Sequence, residues 1–430
     1  MRKVKSTRTK EIIVTVHIFQ IGCRGFGRRG FEKLVDKERF FPEDVVLEAV
    51  CEKDFEHRGK AEKFAEASGS EVDFYEDVDK LYDAADSVEG TVLIYDAGPV
   101  QRHSDHIQRS LRNDFYHLSE KPPSTTREQH IQERKLAARH DVHFKVDFLE
   151  RENPAFRKAR EVLEDVEIDS IKVFRQSSTG VRRMLQPVKK AHVNEGCTLD
   201  EMIHDIYVMD LIDPDSLNLD KVENTVFMPK DVGSEKFLRI DGGTSGEISK
   251  RNSLGQVRAN FSSGEVEISI DASWLGVTDS AGIWDRKVQE QFGEKLVQSE
   301  YLELDEKSFL DQKARFFVVE GEKNILADLL NFRLYDLDHG KEIEVDVYPR
   351  DQLYRVLEKA VVDTAEGDVE KPEEEKLDTF MNALFDVQER AAEESGDVFE
   401  ELDSASELIR SMVVTDKAEL DKEELKGVAS

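Results

Sequence analysis

The stretch "IGCRGFGRRG", Ile21 to Gly30, places four glycines and three arginines at the end of an apolar run. Two glycine registers overlap in it. Gly25, Gly27 and Gly30 match G-x-G-x-x-G outright, while Gly22 and Gly27 match it three residues earlier with Arg24 in the middle position. Glycine removes the Cβ that would hold a backbone away from a pyrophosphate, and a helix that follows turns its positive end toward the anion. The pattern carries meaning only between a strand and a helix. Ile12 to Ile21, rich in alternating β-branched residues, supplies the strand, and a helix opening near Phe26 runs through Arg28 to Asp36. With the strand ending at Ile21, Gly22 makes the tight turn, Gly27 the close helix-to-strand contact and Gly25 the backbone approach. The Gly25/Gly27/Gly30 register is secondary. Arg24 is expected to point away from this cradle or to lie along the phosphates.

The alternation continues to about residue 150. Strands are predicted at Val45 to Cys51, Val72 to Tyr75, Gly90 to Tyr95, Asp114 to Leu118 and His143 to Phe148, with helices at Gly59 to Ala67, His103 to Leu111 and Thr126 to Arg139. Such alternation implies a doubly wound parallel sheet with helices on both faces. After a helix from Pro154 to about Glu164 the texture changes. Val266, Ile268, Ile270, Ala272 and Trp274 are apolar between polar neighbours, the mark of a sheet with one covered and one wet face. Further strands are predicted at Ile171 to Gln176, Val257 to Phe261, Lys313 to Glu320 and Glu342 to Tyr348. Helices follow at Asp351 to Ala365, Leu377 to Ser395 and Phe399 to Met412. The expected organisation is α/β over residues 1–150, α+β with a large, mostly antiparallel open sheet over 151–415, and an acidic tail over 416–430.

The chain has 430 residues, enough for two cores, with 92 acidic against 61 basic residues and a net charge of −31. That charge repels nucleic acid and anionic membranes. It fits either a halophilic protein or an ordinary acidic one. Cys23, Cys51 and Cys197 are odd in number and include no C-x-x-C pair, against a disulfide framework or structural zinc. The first residues imitate a secretory signal, but Glu11, His17 and Gln20 interrupt the apolar run and no cleavage site follows. A cytoplasmic location is expected.

Several side chains can carry chemistry. Glu52, at the end of the second strand in "VCEKD", is placed to accept hydrogen bonds from ribose hydroxyls and to repel a 2'-phosphate, favouring NAD over NADP; it also reads as a surface acid. Lys53 and Arg58 lie close enough to accommodate a phosphate instead. Lys121 in "SEKPP" stands at the carboxyl edge of the sheet, where ligands of such folds bind, although composition alone reads it as a solvated lysine. "TLDEMIHD", Thr198 to Asp205, reads as a helix capped by Thr198 and Glu201, with Asp200 and His204 on one face. A carboxylate beside an imidazole orients the ring as a general base requires, and no third ligand accompanies them to suggest a metal.

Together these pieces resemble the glucose-fructose oxidoreductase / inositol dehydrogenase (Gfo/Idh/MocA) family. The resemblance rests on the order and spacing of the glycine turn, "VCEKD", Pro99 and His103 ahead of "EKP" at Glu120 to Pro122, "ERENPAFRKA" at Glu150 to Ala159, the Asp200/His204 helix and "SWLG" at Ser273 to Gly276. It covers roughly residues 11 to 395. The resemblance implies an NAD(P)-dependent oxidoreductase acting on a secondary alcohol of a sugar, polyol or derivative, assembled as a homo-oligomer, dimer or tetramer, through the second sheet. By the same likeness the dinucleotide meets Gly22, Arg24, Gly25, Phe26, Gly27, Glu52, Lys53, Arg58, Ala97, Gly98, Pro99, His103, Glu120, Lys121 and Arg151. Lys121 then lies between nicotinamide and substrate hydroxyl, Asp200 binds or orients, and His204 accepts the proton. Arg24, Gly98, Glu152 and Met202 depart from the family pattern. A non-catalytic dinucleotide sensor and a glycoside-cleaving member with tightly bound NAD are the alternatives.

Between Asp169 and Glu195 there is no acidic residue, and Lys172, Arg175, Arg182, Arg183, Lys189 and Lys190 fall within the gap. Arg175, Arg182 and Arg183 are expected to draw an anionic sugar substrate. A subunit interface is the competing reading.

Overall fold

The computed structural model describes residues 15–36, 45–177, 196–225, 256–273, 288, 291–292, 295–304, 307–347, 352–367, 371–394 and 413–414. Arg182, Arg183, Lys189, Lys190, Trp274 to Gly276, the helix expected at Phe399 to Met412 and the tail from Asp416 lie outside them. The chain divides into two compact units, residues 1–123, 131–147 and 353–370 in one and 124–130, 148–352 and 371–430 in the other.

In the first unit β1 (Val16–Ile21), β2 (Val45–Cys51), β3 (Asp73–Tyr75), β4 (Thr91–Asp96), β5 (Tyr116–Ser119) and β6 (Phe144–Val146) form one parallel sheet in the order 3-2-1-4-5-6. The connecting helices are α1 (Phe26–Val35), α2 (Phe55–Ala67), α3 (Val78–Asp86), α4 (His103–Arg112) and α5 (Arg127–His140). The strands are apolar on both faces because helices cover both. Phe19, Ile21, Ala49, Val92 and Ile94 pack on Leu81, Tyr82 and Ala85 of α3. Gln20, which breaks the apolar pattern, is fully buried on β1 and donates its amide to the carbonyls of Gly22 and Gly27, 2.7 Å each. It thereby ties strand, turn and helix together. The order reverses between β1 and β4, the switch point at which open α/β sheets bind ligands.

The second unit opens with α6 (Pro154–Val162), started by the Asn153 side chain on the Ala155 N–H at 2.9 Å. A short α7 (Gly196–Asp200) follows β7 (Ile168–Ser177). The sheet adds β8 (Leu217–Thr225), β9 (Gln256–Ser263), β10 (Val266–Ser273), β11 (Gln298–Leu304), β12 (Lys307–Gly321), β13 (Ile325–Asp328), β14 (Arg333–Asp336) and β15 (Lys341–Ile343). Its order is 15-14-13-12-7-10-9-8, with β11 and β16 (Val413–Val414) also on β12. Every pair but β7–β10 is antiparallel. One face buries Phe317 against Phe156 of α6 and Tyr207, with ring centroids 6.2 and 5.5 Å apart. The other stacks Phe174 on Phe316 at 4.6 Å beneath Val288, Phe292 and Leu296. The outer face of β10 is wet only in part: Asp271 is buried, accepting from Gln176, Gln256 and Arg258. The strand expected to reach Tyr348 ends at Ile343. Of the last helices, α8 (Gln352–Glu366) belongs to the first unit, where Asp363 pairs with Lys145 of β6, and α9 (Lys371–Glu394) to the second.

Candidate functional site

In the first unit the carboxyl ends of β1, β4 and β5 bear the glycine turn, Ala97 to Pro99, and Glu120 to Pro122. A Cβ on Gly22, where φ is +81°, would stand 2.5 Å from the Ala97 carbonyl oxygen, and one on Gly27 would stand 2.6 Å from that of Gly22. Both glycines are therefore demanded by close backbone approach. Gly30 would meet the Tyr95 ring at 2.5 Å, so it packs α1 on β4 and is not part of a cradle. Gly25 differs: its φ is +53° and a Cβ there meets nothing within 4 Å. It opens on space at the amino end of α1, where Phe26 begins the helix half-exposed. The residues thus suit a dinucleotide phosphate in the earlier register. Arg24 is exposed, 3.7 Å from Asp54.

Glu52 is buried, and both its oxygens accept backbone N–H groups, from Cys23 at 3.0 Å and Asp54 at 2.9 Å. It clips the glycine turn to the end of β2, a role its strand-end position did not reveal. Arg58 is not available to a phosphate as a lone cation, since Glu76 and Glu62 hold it at 2.6 and 3.4 Å. Lys53 is exposed.

Asp96, missing from the sequence reading, organises the next two loops. Its carboxylate accepts from the Gly98 N–H at 2.9 Å and His106 Nδ1 at 2.8 Å, and its carbonyl takes the Glu120 N–H at 2.8 Å. Burial alone would raise its pKa; the charges of His103, His106 and His117 and the His106 hydrogen bond bring it down to about 2. His103 spans the same loops, with Nδ1 2.9 Å from the Pro122 carbonyl and Nε2 3.1 Å from that of Gly98. Burial pushes the Glu120 carboxyl up, against the charges of His103 and Lys121 and a hydrogen bond with Asp147. Lys121 is half-buried and joined to Pro122 by a cis peptide.

In the second unit the expected helix is two pieces. After α7 comes a turn at Glu201, and Met202 to Asp210 form a 3-10 helix. At three residues per turn, positions four apart no longer stack, so the i, i+4 argument for Asp200 and His204 fails. Thr198 lies inside α7 and not ahead of it. The carboxylate on His204 Nδ1 is Glu150, 2.9 Å away and 54 positions earlier. Asp200 is buried at 2% exposure. Glu150 also takes Arg175 Nη2 at 3.0 Å, and Arg175 Nε donates to Asp205 at 2.9 Å. Burial would raise the pKa of Glu150, but the charges of His204, Arg175 and Arg315 hold it well below the usual carboxylate range. Burial wins at Asp205, pushed up to about 6 despite Arg175.

Arg175 is a correction to the substrate reading. It is 1% exposed, and its charge is answered by Glu150 and Asp205, so it braces the histidine's partner and does not present itself to a substrate anion. Arg151 is likewise anchored, its Nε 3.2 Å from Asp210, which Lys376 also contacts at 2.6 Å.

No protein-family model matches the sequence, and no curated protein matches it. Solved structures do. UDP-N-acetylglucosamine 3-dehydrogenase GnnA from Acidithiobacillus ferrooxidans matches with a TM-score of 0.56 at 15% identity, over 87% of this chain and 97% of that one. The chain shares its fold. The same holds for scyllo-inositol dehydrogenase from Lactobacillus casei, with bound NAD(H) and scyllo-inositol, at TM-score 0.56 and 16% identity over 93% and 98% of the two chains. KijD10, a 3-ketoreductase from Actinomadura kijaniata in complex with TDP-benzene and NADP, matches at 0.53 and 15% over 86% and 96%. The architecture anticipated from the sequence, a doubly wound sheet followed by a mostly antiparallel one, is the one these proteins have. No helix among the described residues is long and apolar enough to cross a membrane.

Proposed function

We propose that this chain is a member of the Gfo/Idh/MocA group that moves a hydride between a secondary alcohol of a sugar, polyol or sugar derivative and a nicotinamide dinucleotide. The observation that carries the reading is the edge of the first sheet, where the open Gly25 turn at β1 and the Lys121 loop after β5 flank the β1/β4 switch point. The folds it shares belong to dehydrogenases and a ketoreductase, which supports the same conclusion.

Gly25 would meet the pyrophosphate on a turn whose shape Gly22 and Gly27 set, and the remaining lone pairs of Glu52 would take ribose hydroxyls. The Glu52 charge, with Arg58 committed to two acids, favours NAD over NADP. When bound, the nicotinamide supplies the hydride acceptor or donor. The ammonium of Lys121 steadies the developing alkoxide, His204 takes the hydroxyl proton at Nε2, and Asp200 orients the substrate. Glu150 holds Nδ1 and offsets the imidazolium that results. A cytoplasmic setting and self-association through the second sheet belong to the same proposal.

Titration with NADH and NADPH at low and high salt, then a panel of neutral and acidic sugars, tests it. Binding of neither dinucleotide would sink the proposal, as would full turnover in both Lys121→Ala and His204→Ala.

A further inference from the structure

The two hydrogen bonds of His103 end on acceptors of one kind. Nδ1 faces the Pro122 carbonyl at 2.9 Å and Nε2 the Gly98 carbonyl at 3.1 Å. A carbonyl only accepts, and a neutral imidazole has a single N–H, so a neutral ring would set one nitrogen lone pair against a carbonyl oxygen. The ring is 1% exposed. A mismatched polar contact there has no water to relieve it. Two protons on the ring remove the mismatch.

We propose that His103 is a buried imidazolium strut that pins the loops after β4 and β5 to each other and thereby positions Lys121. Lys121 lies between two anchors, the Glu120 N–H on the Asp96 carbonyl at 2.8 Å and the Pro122 carbonyl on His103. A cation at position 103 has acidic neighbours in Asp96 and Glu120. Asp96 at the end of β4 and Glu120 after β5 both feel it electrostatically. The other titratable groups facing this region are His106 of α4, which donates to Asp96, His117 of β5, and Lys121 and Asp147 through Glu120. Loss of the second proton would break one of the two loop contacts and release the Lys121 backbone on that side. The bearing on turnover rests on the oxidoreductase reading; the protonation of the ring does not.

The test is nuclear magnetic resonance of the full chain labelled with 15N-histidine, without dinucleotide, with His103→Gln used to assign the signal. Protons on both ring nitrogens at pH 7 are expected; an unprotonated nitrogen at that pH overturns the proposal, whatever the chain catalyses. Glutamine keeps one donor and cannot make both contacts. In His103→Gln, kcat should fall roughly tenfold to hundredfold, the range that small misplacements of a reacting group produce. It should also lose the wild type's decline with rising pH. A variant with wild-type kcat and pH profile would refute the positioning role, while a wild-type chain that binds no dinucleotide fails the oxidoreductase reading and leaves the ring's protonation to be decided by the spectrum.

Discussion

His204 donates through Nδ1 to Glu150 across 2.9 Å, and the other oxygen of that carboxylate receives Arg175 at 3.0 Å. The ring is therefore oriented by a residue from the segment before α6, itself braced from β7. Replacing Glu150 with Gln preserves an acceptor but removes the charge that offsets a protonated ring. Turnover should drop by about tenfold or more, a share of what a general base contributes. Glu150→Asp should recover part of it; steady-state kinetics on both variants decides.

Arg175→Met should be severe for stability. It leaves Glu150 and Asp205 buried without the guanidinium between them, and breaking such a pair costs about 3–5 kcal/mol. Urea unfolding followed by circular dichroism measures this, and a cost near zero would mean that the network is dispensable.

Acid should weaken the first unit through His117. Burial, the largest effect, and the charges of His106 and His103 lower its pKa from 6.5 to about 3, against the pull of Asp96. The unfolded chain thus gains a proton as pH falls below 6.5, while the folded chain does not until about 3. Stability is lost across that window. His117→Asn should flatten the slope of unfolding free energy against pH there.

The glycines of the turn should respond differently to alanine. Gly22→Ala and Gly27→Ala place a Cβ 2.5–2.6 Å from backbone oxygens and should destabilise the first unit itself. Gly25→Ala meets open space and carries only the cost of a sparsely populated backbone conformation, about 1–3 kcal/mol. Its main effect should be weaker dinucleotide binding in a folded chain, read by NADH fluorescence titration alongside thermal melts.

On the proposed reading Glu52 sets the coenzyme choice. The wild type should bind NADH more tightly than NADPH. In Glu52→Ala the preference should shrink, and the melting temperature should fall because the N–H groups of Cys23 and Asp54 lose their acceptor. Calorimetric titration of both coenzymes checks the ratio.

Much of the first unit is legible in the sequence because buried parallel strands are near-continuous apolar runs and glycine marks the turn: β1 ends at Ile21 and α1 begins at Phe26 as the spacing predicts. The short α3 is not legible, since Leu81, Tyr82 and Ala85 are its only buried residues among acids. The strands β8, β11, β13 and β14 are short, charged or irregular in pattern and depend on neighbours in the sheet. Among the candidate residues, Lys121 and His204 stand out by motif. Glu150 does not, because its pairing with His204 is a tertiary contact that no local period encodes. The break in the helix at Glu201 misdirected the reading of Asp200 for the same reason.

The first unit is interrupted in sequence: its β6 is complete by Val146, and α8, with Asp363 against Lys145, is encoded beyond the central strands of the second sheet. At ordinary translation speeds, roughly 5–20 residues per second, the nascent first sheet waits about ten to forty seconds for its last helix. During synthesis the β5–β6 edge is thus left without the helix that packs on it, and the unit folds to completion only after the ribosome has passed the chain's middle.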